Sequence, residues 1–172
     1  MASVYVWDKV VRLTHWTVAV LFLSNFFLLE EGSELHEWAG YLILVAIGVR
    51  LVWGMMTASH ARLSAFKPSV PKAIAHIREV FREKRDDHVG HNPAGAVMIW
   101  VMWSLIILTA LSGWSMEEKV FGNKDLMEEI HEFLANLTMI AVTLHVGAVV
   151  LMTKVTHKPY LQGMLPRRRA DK

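Results

Sequence analysis

Four runs of apolar residues, each close to twenty long, dominate this chain: residues 10–29, 38–56, 94–114 and 133–153. A helix needs about 20 such residues to cross a hydrocarbon core of about 30 Å. A bilayer offers no partner to a bare backbone N–H or C=O, and a helix satisfies those groups within itself. The runs therefore confine the chain to membrane-spanning helices. Composition agrees: 53% of the 172 residues are hydrophobic, with a mean hydropathy of +0.32. One membrane domain over residues 1–172 accounts for the length. Lys9 and Arg12 give the first run the look of a secretory leader. It is long, however, and ends in Phe26, Phe27, Leu28, Leu29 and Glu30 rather than in small residues. It is read as a retained span.

Loop charge sets the expected topology. Lys9 and Arg12 open the first run. Glu30, Glu31, Glu34 and Glu37 follow it without a Lys or Arg. The loop over residues 57–93 carries Arg62, Lys67, Lys72, Arg78, Arg82, Lys84 and Arg85. Residues 115–132 are acidic again, with Glu117, Glu118, Asp125, Glu128, Glu129 and Glu132 against Lys119 and Lys124. The tail is basic, with Lys154, Lys158, Arg167, Arg168, Arg169 and Lys172. Lys and Arg accumulate in cytoplasmic loops, so both termini are expected there. The fold class is all-α: an integral membrane four-helix up-down bundle with short loops between neighbours. The same rule explains the net charge of +2 and the basic pI, so no nucleic-acid partner is expected. Within the long loop, residues 71–87 read as an amphipathic cytoplasmic helix. Pro71 suits its first turn, and Ile74, Ile77 and Phe81 form a stripe for the lipid interface.

Cys is absent. Disulfides, thiolate metal sites, iron–sulfur clusters and covalently attached haem are thereby excluded. A redox centre would have to be held by His or Met without a covalent link. An ionisable side chain inside a span is costly and marks a functional site by default. The stretch 130–153 around the last run holds two, His131 at its front edge and His145 within it. Fourteen helical residues return to nearly the same face and rise about 21 Å. His15 lies a short way into the first run, at the depth of His145, and His36 stands at the edge of the second, at the depth of His131. Two couples, each from two different helices, suit imidazoles on opposite faces of a haem. Two-ligand metal sites, proton relays and structural histidines are weaker readings. One four-His zinc or copper site is excluded, because its ligands must all lie about 2 Å from the metal.

Gly40 lies one turn from His36 on nearly the same face, which leaves room for a flat macrocycle. Arg12 lies one turn before His15, and Arg50 sits in the inner half of the second run. Both are candidates for pairing with haem propionates or a quinone head group, with snorkelling to the interface as the alternative. His60, His76, His88, His91 and His157 fall in the long loop or tail and read as solvated. His91 is set apart by bordering the inner membrane surface. The Met and Trp residues read as packing and interfacial anchors.

Taken in order along the chain, these pieces resemble the bacterial cytochrome b561 and nickel-hydrogenase b-type cytochrome subunit family. The resemblance rests on Trp7-Asp8-Lys9-Val10-Val11-Arg12-Leu13-Thr14-His15-Trp16, His36-Glu37-Trp38-Ala39-Gly40, Arg50-Leu51-Val52-Trp53-Gly54 with Ala61-Arg62, Asn92-Pro93-Ala94-Gly95-Ala96, and His131-Glu132 with His145. It implies a multi-pass protein of the bacterial inner membrane with two haem b groups. His15 and His145 would hold the inner haem, and His36 and His131 the outer one. It also implies electron transfer between ubiquinone or another quinone and a periplasmic partner, such as a c-type cytochrome or other redox subunit. Some members resemble superoxide oxidases that reduce quinone, which is the alternative reading. The ten acidic residues of the two outer loops favour a basic protein partner over an anion.

Overall fold

The computed structural model describes residues 7–118, 120 and 122–165. Lys119 and the tail basic residues Arg167, Arg168, Arg169 and Lys172 lie outside them. Five helices follow in order: α1 (Lys9–Phe27), α2 (Glu34–Met56), α3 (Val70–Glu83), α4 (Pro93–Glu117) and α5 (Lys124–Thr156). Single 3₁₀ turns at Leu63–Phe66 and Leu161–Gly163 complete the described elements, which include no strand. α1, α2, α4 and α5 are long and apolar enough to cross a membrane.

Helix starts are set by capping side chains. Asp8, Ser33, Asn92 and Asn123 each accept from the backbone N–H three residues on, at 2.9, 3.3, 2.7 and 3.1 Å. Each cap satisfies one of the donors that a helix leaves orphaned at its first turn. Two spans therefore begin before their apolar runs. α2 starts at Glu34, and α5 starts at Lys124, nine residues ahead of residue 133. At 33 residues, α5 is about 50 Å long.

The spans pack as two hairpins. α1 lies on α2 and α4 on α5, and α2 against α4 joins the halves. Among the described residues, neither α1 nor α2 packs its backbone closely on α5. Side chains bridge this seam at mid-depth. Phe22, Ile43, Ile47 and Ile106 form the buried core, and Met139 and Val142 of α5 pack against it. Thr109 and Thr138 add a buried hydroxyl pair at 3.2 Å between α4 and α5. Leu13, Val20, Leu42, Val45, Ile140 and Leu144 point outward. Such an apolar exterior is solvated by lipid tails.

The face formed by the long loop and the two ends of the chain, here the basic face, is held together by polar contacts. α3 packs on α4. It buries Ala73, His76 and Val80, while Ile74, Ile77 and Phe81 remain exposed on the neighbouring stripe. The segment after α5 returns to α1, where Arg12 Nη1 donates to the Leu165 carbonyl at 3.0 Å and Trp16 Nε1 to that of Met164 at 3.0 Å.

Candidate functional site

The two histidine couples span the seam between α5 and the α1–α2 hairpin. His15 and His145 approach with ring centroids 6.4 Å apart and planes inclined at 54°. His36 and His131 approach to 6.1 Å at 65°. A metal–imidazole bond is about 2 Å. In a five-membered ring of bonds near 1.33 Å, the centre lies about 1.1 Å from each atom. Two imidazoles on opposite sides of one metal ion thus have centres about 6.3 Å apart, and both couples stand close to that separation. The donor set is also right for b-type haem, which takes side-chain ligands and no covalent link.

The polar atoms around the rings support this fit. The Nδ1 atoms of His15 and His36 are buried without a hydrogen-bond partner. A buried imidazole nitrogen left bare costs roughly 1–3 kcal/mol, so the protein alone leaves these two rings incompletely satisfied. His131 is oriented by α4. Its Nδ1 lies 2.9 Å from the Thr109 carbonyl and 3.1 Å from Ser112 Oγ. The Ser112 hydroxyl donates to the same carbonyl at 2.8 Å, so Nδ1 carries the proton and donates. Nε2 is left as the atom with a free lone pair. This is how a second hydrogen bond fixes the tautomer of a metal-binding histidine. Gly113 lets α4 come this close, because a Cβ there would sit 3.1 Å from His131 Cε1.

Thr109, Ser112 and Gly113 were not singled out by the sequence. Small and hydroxyl residues on a span read first as helix-packing positions. The available signal was spacing, since Thr109, Ser112 and Ser115 recur every three residues and all are buried. Gly40 does lie beside open space: nothing stands within 4 Å of where its Cβ would be. Asn25 Nδ2 ties α1 to the backbone at this level, donating to the His36 carbonyl at 3.0 Å.

The two arginines sit on the basic side. Arg12 has its Nη1 on the Leu165 carbonyl, and its Nε is buried without a partner. Arg50 is 5% exposed. Its Nη2 donates to the Ala61 carbonyl at 2.9 Å. Its guanidinium lies over the rings of Phe66 and Trp103, at 5.7 and 5.4 Å, within cation–π range. Nη1 has no partner. A Cβ on Gly54 would come within 2.8 Å of it, so Gly54 makes room for this side chain. Arg50 thus fastens the long loop to α2 rather than reaching for solvent. Among the loop histidines, His60, His88 and His157 are exposed. His76 is buried, contrary to the solvated reading, because Asp86 folds over it. His91 lies between the rings of Trp7 and Phe66, at 4.2 and 4.5 Å.

Comparison with known proteins matches the prokaryotic cytochrome b561 family over residues 6–167. The chain belongs to that family. It is a multi-pass membrane cytochrome of the b type, a haem protein of electron transport. No curated protein and no solved structure matches this cytochrome.

Proposed function

We propose that this cytochrome holds two haem b groups, one between His15 and His145 and one between His36 and His131. It passes electrons between a membrane quinone and a redox partner on the opposite side. The observation that carries this reading is the pair of imidazole couples, with ring centres 6.4 and 6.1 Å apart, which would leave room for one metal ion in each. Haem iron supplies a one-electron couple whose potential follows its axial ligands, hydrogen bonds and burial. The chain supplies the rest. The Thr109 carbonyl holds His131 in the ligating tautomer. The open space beside Gly40 admits a flat ring. The apolar side chains of Phe22, Ile47, Met139 and Val142 pack between the two levels. Arg12 and Arg50 are the cations placed to meet haem carboxylates or a quinone head group, through Arg12 Nε and Arg50 Nη1.

Charge selects the kind of partner and the orientation. By the positive-inside rule the basic face is the cytoplasmic one, with both ends inside, and the prokaryotic family supports the bacterial inner membrane as its location. The opposite face carries the ten carboxylates and suits a basic protein such as a c-type cytochrome. It disfavours a small anion such as superoxide.

The test is the haem content of His36→Ala. The variant should retain one haem per chain where the parent has two, with the His15–His145 signal intact. Two haems in the variant would refute the pairing.

A further inference from the structure

The basic face holds a second group of ligating side chains, distinct from the histidines of the spans. His76 on α3 is 4% exposed, and its Nε2 is buried with no hydrogen-bond partner. That atom lies 3.8 Å from Asp86 Oδ2, on a carboxylate whose side chain is 1% exposed. His88 Nδ1 lies 3.0 Å from Asp86 Oδ1. The two rings approach to 4.7 Å between centroids, and one ligand atom from each of the three residues falls within 4.8 Å of the others. Glu79 and Glu83 line the surface pocket beside them.

We propose that His76, Asp86 and His88 bind one divalent transition-metal ion of the zinc type, with Glu79, Glu83 or water completing its coordination. In a tetrahedral site with bonds of 2.0–2.1 Å, neighbouring ligand atoms are about 3.4 Å apart. His76 Nε2 stands 3.8 Å from Oδ2 and His88 Nδ1 3.0 Å from Oδ1 of one carboxylate, and one ligand atom from each residue lies within 4.8 Å of the others, so small side-chain shifts bring them to that spacing. Two imidazoles and carboxylate oxygen suit zinc, copper or nickel rather than magnesium or calcium.

Asp86 is already held in place for the task. Tyr160 Oη donates to it at 2.6 Å, Asn92 Nδ2 at 2.8 Å and the His88 N–H at 3.0 Å. Those contacts explain a rigid, charged carboxylate. They do not explain a sealed imidazole nitrogen aimed at it with nothing to bond. Lys158 does not occupy the position, since its ammonium donates to the Asp86 and His88 carbonyls. The half-exposed His88 ring is the entrance. A bound ion would clasp α3 to the cap of α4 and to the segment after α5.

The experiment is a Zn²⁺ titration of the haem-loaded protein in detergent against a chromophoric chelator. One zinc per chain should bind in the low micromolar range or tighter. H76Q and H88Q should each weaken it by about tenfold or more, with the haem absorption spectrum unchanged. H88Q, altered at a half-exposed ring, carries the test if H76Q does not fold. Absence of competitive binding in the parent, or equal affinity in the variants, overturns the proposal.

Discussion

His91 shows what a single side chain costs when it is enclosed. Its ring is stacked by Trp7 and Phe66 at the base of α4, and its Nδ1 is buried without a partner. Burial, with the Arg50 charge nearby, pushes it down from 6.5 to about 3. A depressed histidine is neutral in the fold, while the unfolded chain takes up a proton below pH 6.5. Stability is therefore full above about 6.5 and is lost as pH falls toward 3. At pH 5.5 the loss amounts to about 1.4 kcal/mol, or roughly 3–5 °C in melting temperature. His91→Phe keeps the stack and removes the proton site. Its melting temperature should fall less between pH 7.5 and 5.5 than the parent's; equal slopes would clear His91 of the effect. Asp86 titrates in a separate window. Burial pushes it up, but the donors Tyr160, Asn92 and His88 N–H and the Lys158 charge outweigh burial and bring it to about 2. Its stabilisation is present above about 4 and disappears between there and 2. The sequence made the histidines of the spans legible, because an imidazole in a bilayer stands out against its surroundings. It marked His91 only by its place at the membrane border and hid His76, because their enclosure comes from Trp7, Phe66 and Asp86, residues brought in from elsewhere in the chain.

At the scale of the element, α3 and α5 differ from what periodicity alone suggests, for physical reasons. Hydrophobic spacing marks an apolar face on α3 but cannot say whether lipid or protein covers it. The stripe of Ile74, Ile77 and Phe81 faces outward, and the stripe of Ala73, His76 and Val80 meets α4. An outward apolar stripe on a helix at the membrane edge lies in the head-group boundary. A nitroxide at position 77 should therefore be more accessible to oxygen than to a water-soluble nickel chelate, and one at position 72 should show the reverse. The same accessibility at both positions would place α3 wholly in water. α5 is longer than its apolar run because Asn123, a polar residue in an acidic stretch, starts the helix early. His131 consequently sits two turns inside a rigid helix rather than at a frayed end.

The whole molecule is electrically two-sided. The acidic face carries four carboxylates in the first loop and six in the third, against two lysines. Raising ionic strength from 0.01 to 0.15 M shortens the screening length from about 30 to about 8 Å. Electron exchange with a basic soluble cytochrome should slow several-fold over that range, and a salt-independent rate would remove the charge argument. The number of apolar runs and the alternation of loop charge made the up-and-down order legible. They did not reveal that α2 lies on α4 while α5 stands off from α1 and α2, since contacts between hairpins depend on side-chain shape rather than on connectivity. That spacing has a consequence for assembly. The halves meet along the α2–α4 contact, and at mid-depth the core of Phe22, Ile43, Ile47 and Ile106 reaches Met139 and Val142 of α5. Were haem held at the two couples, each ring would be gripped from both hairpins at once, so its binding would resist their separation.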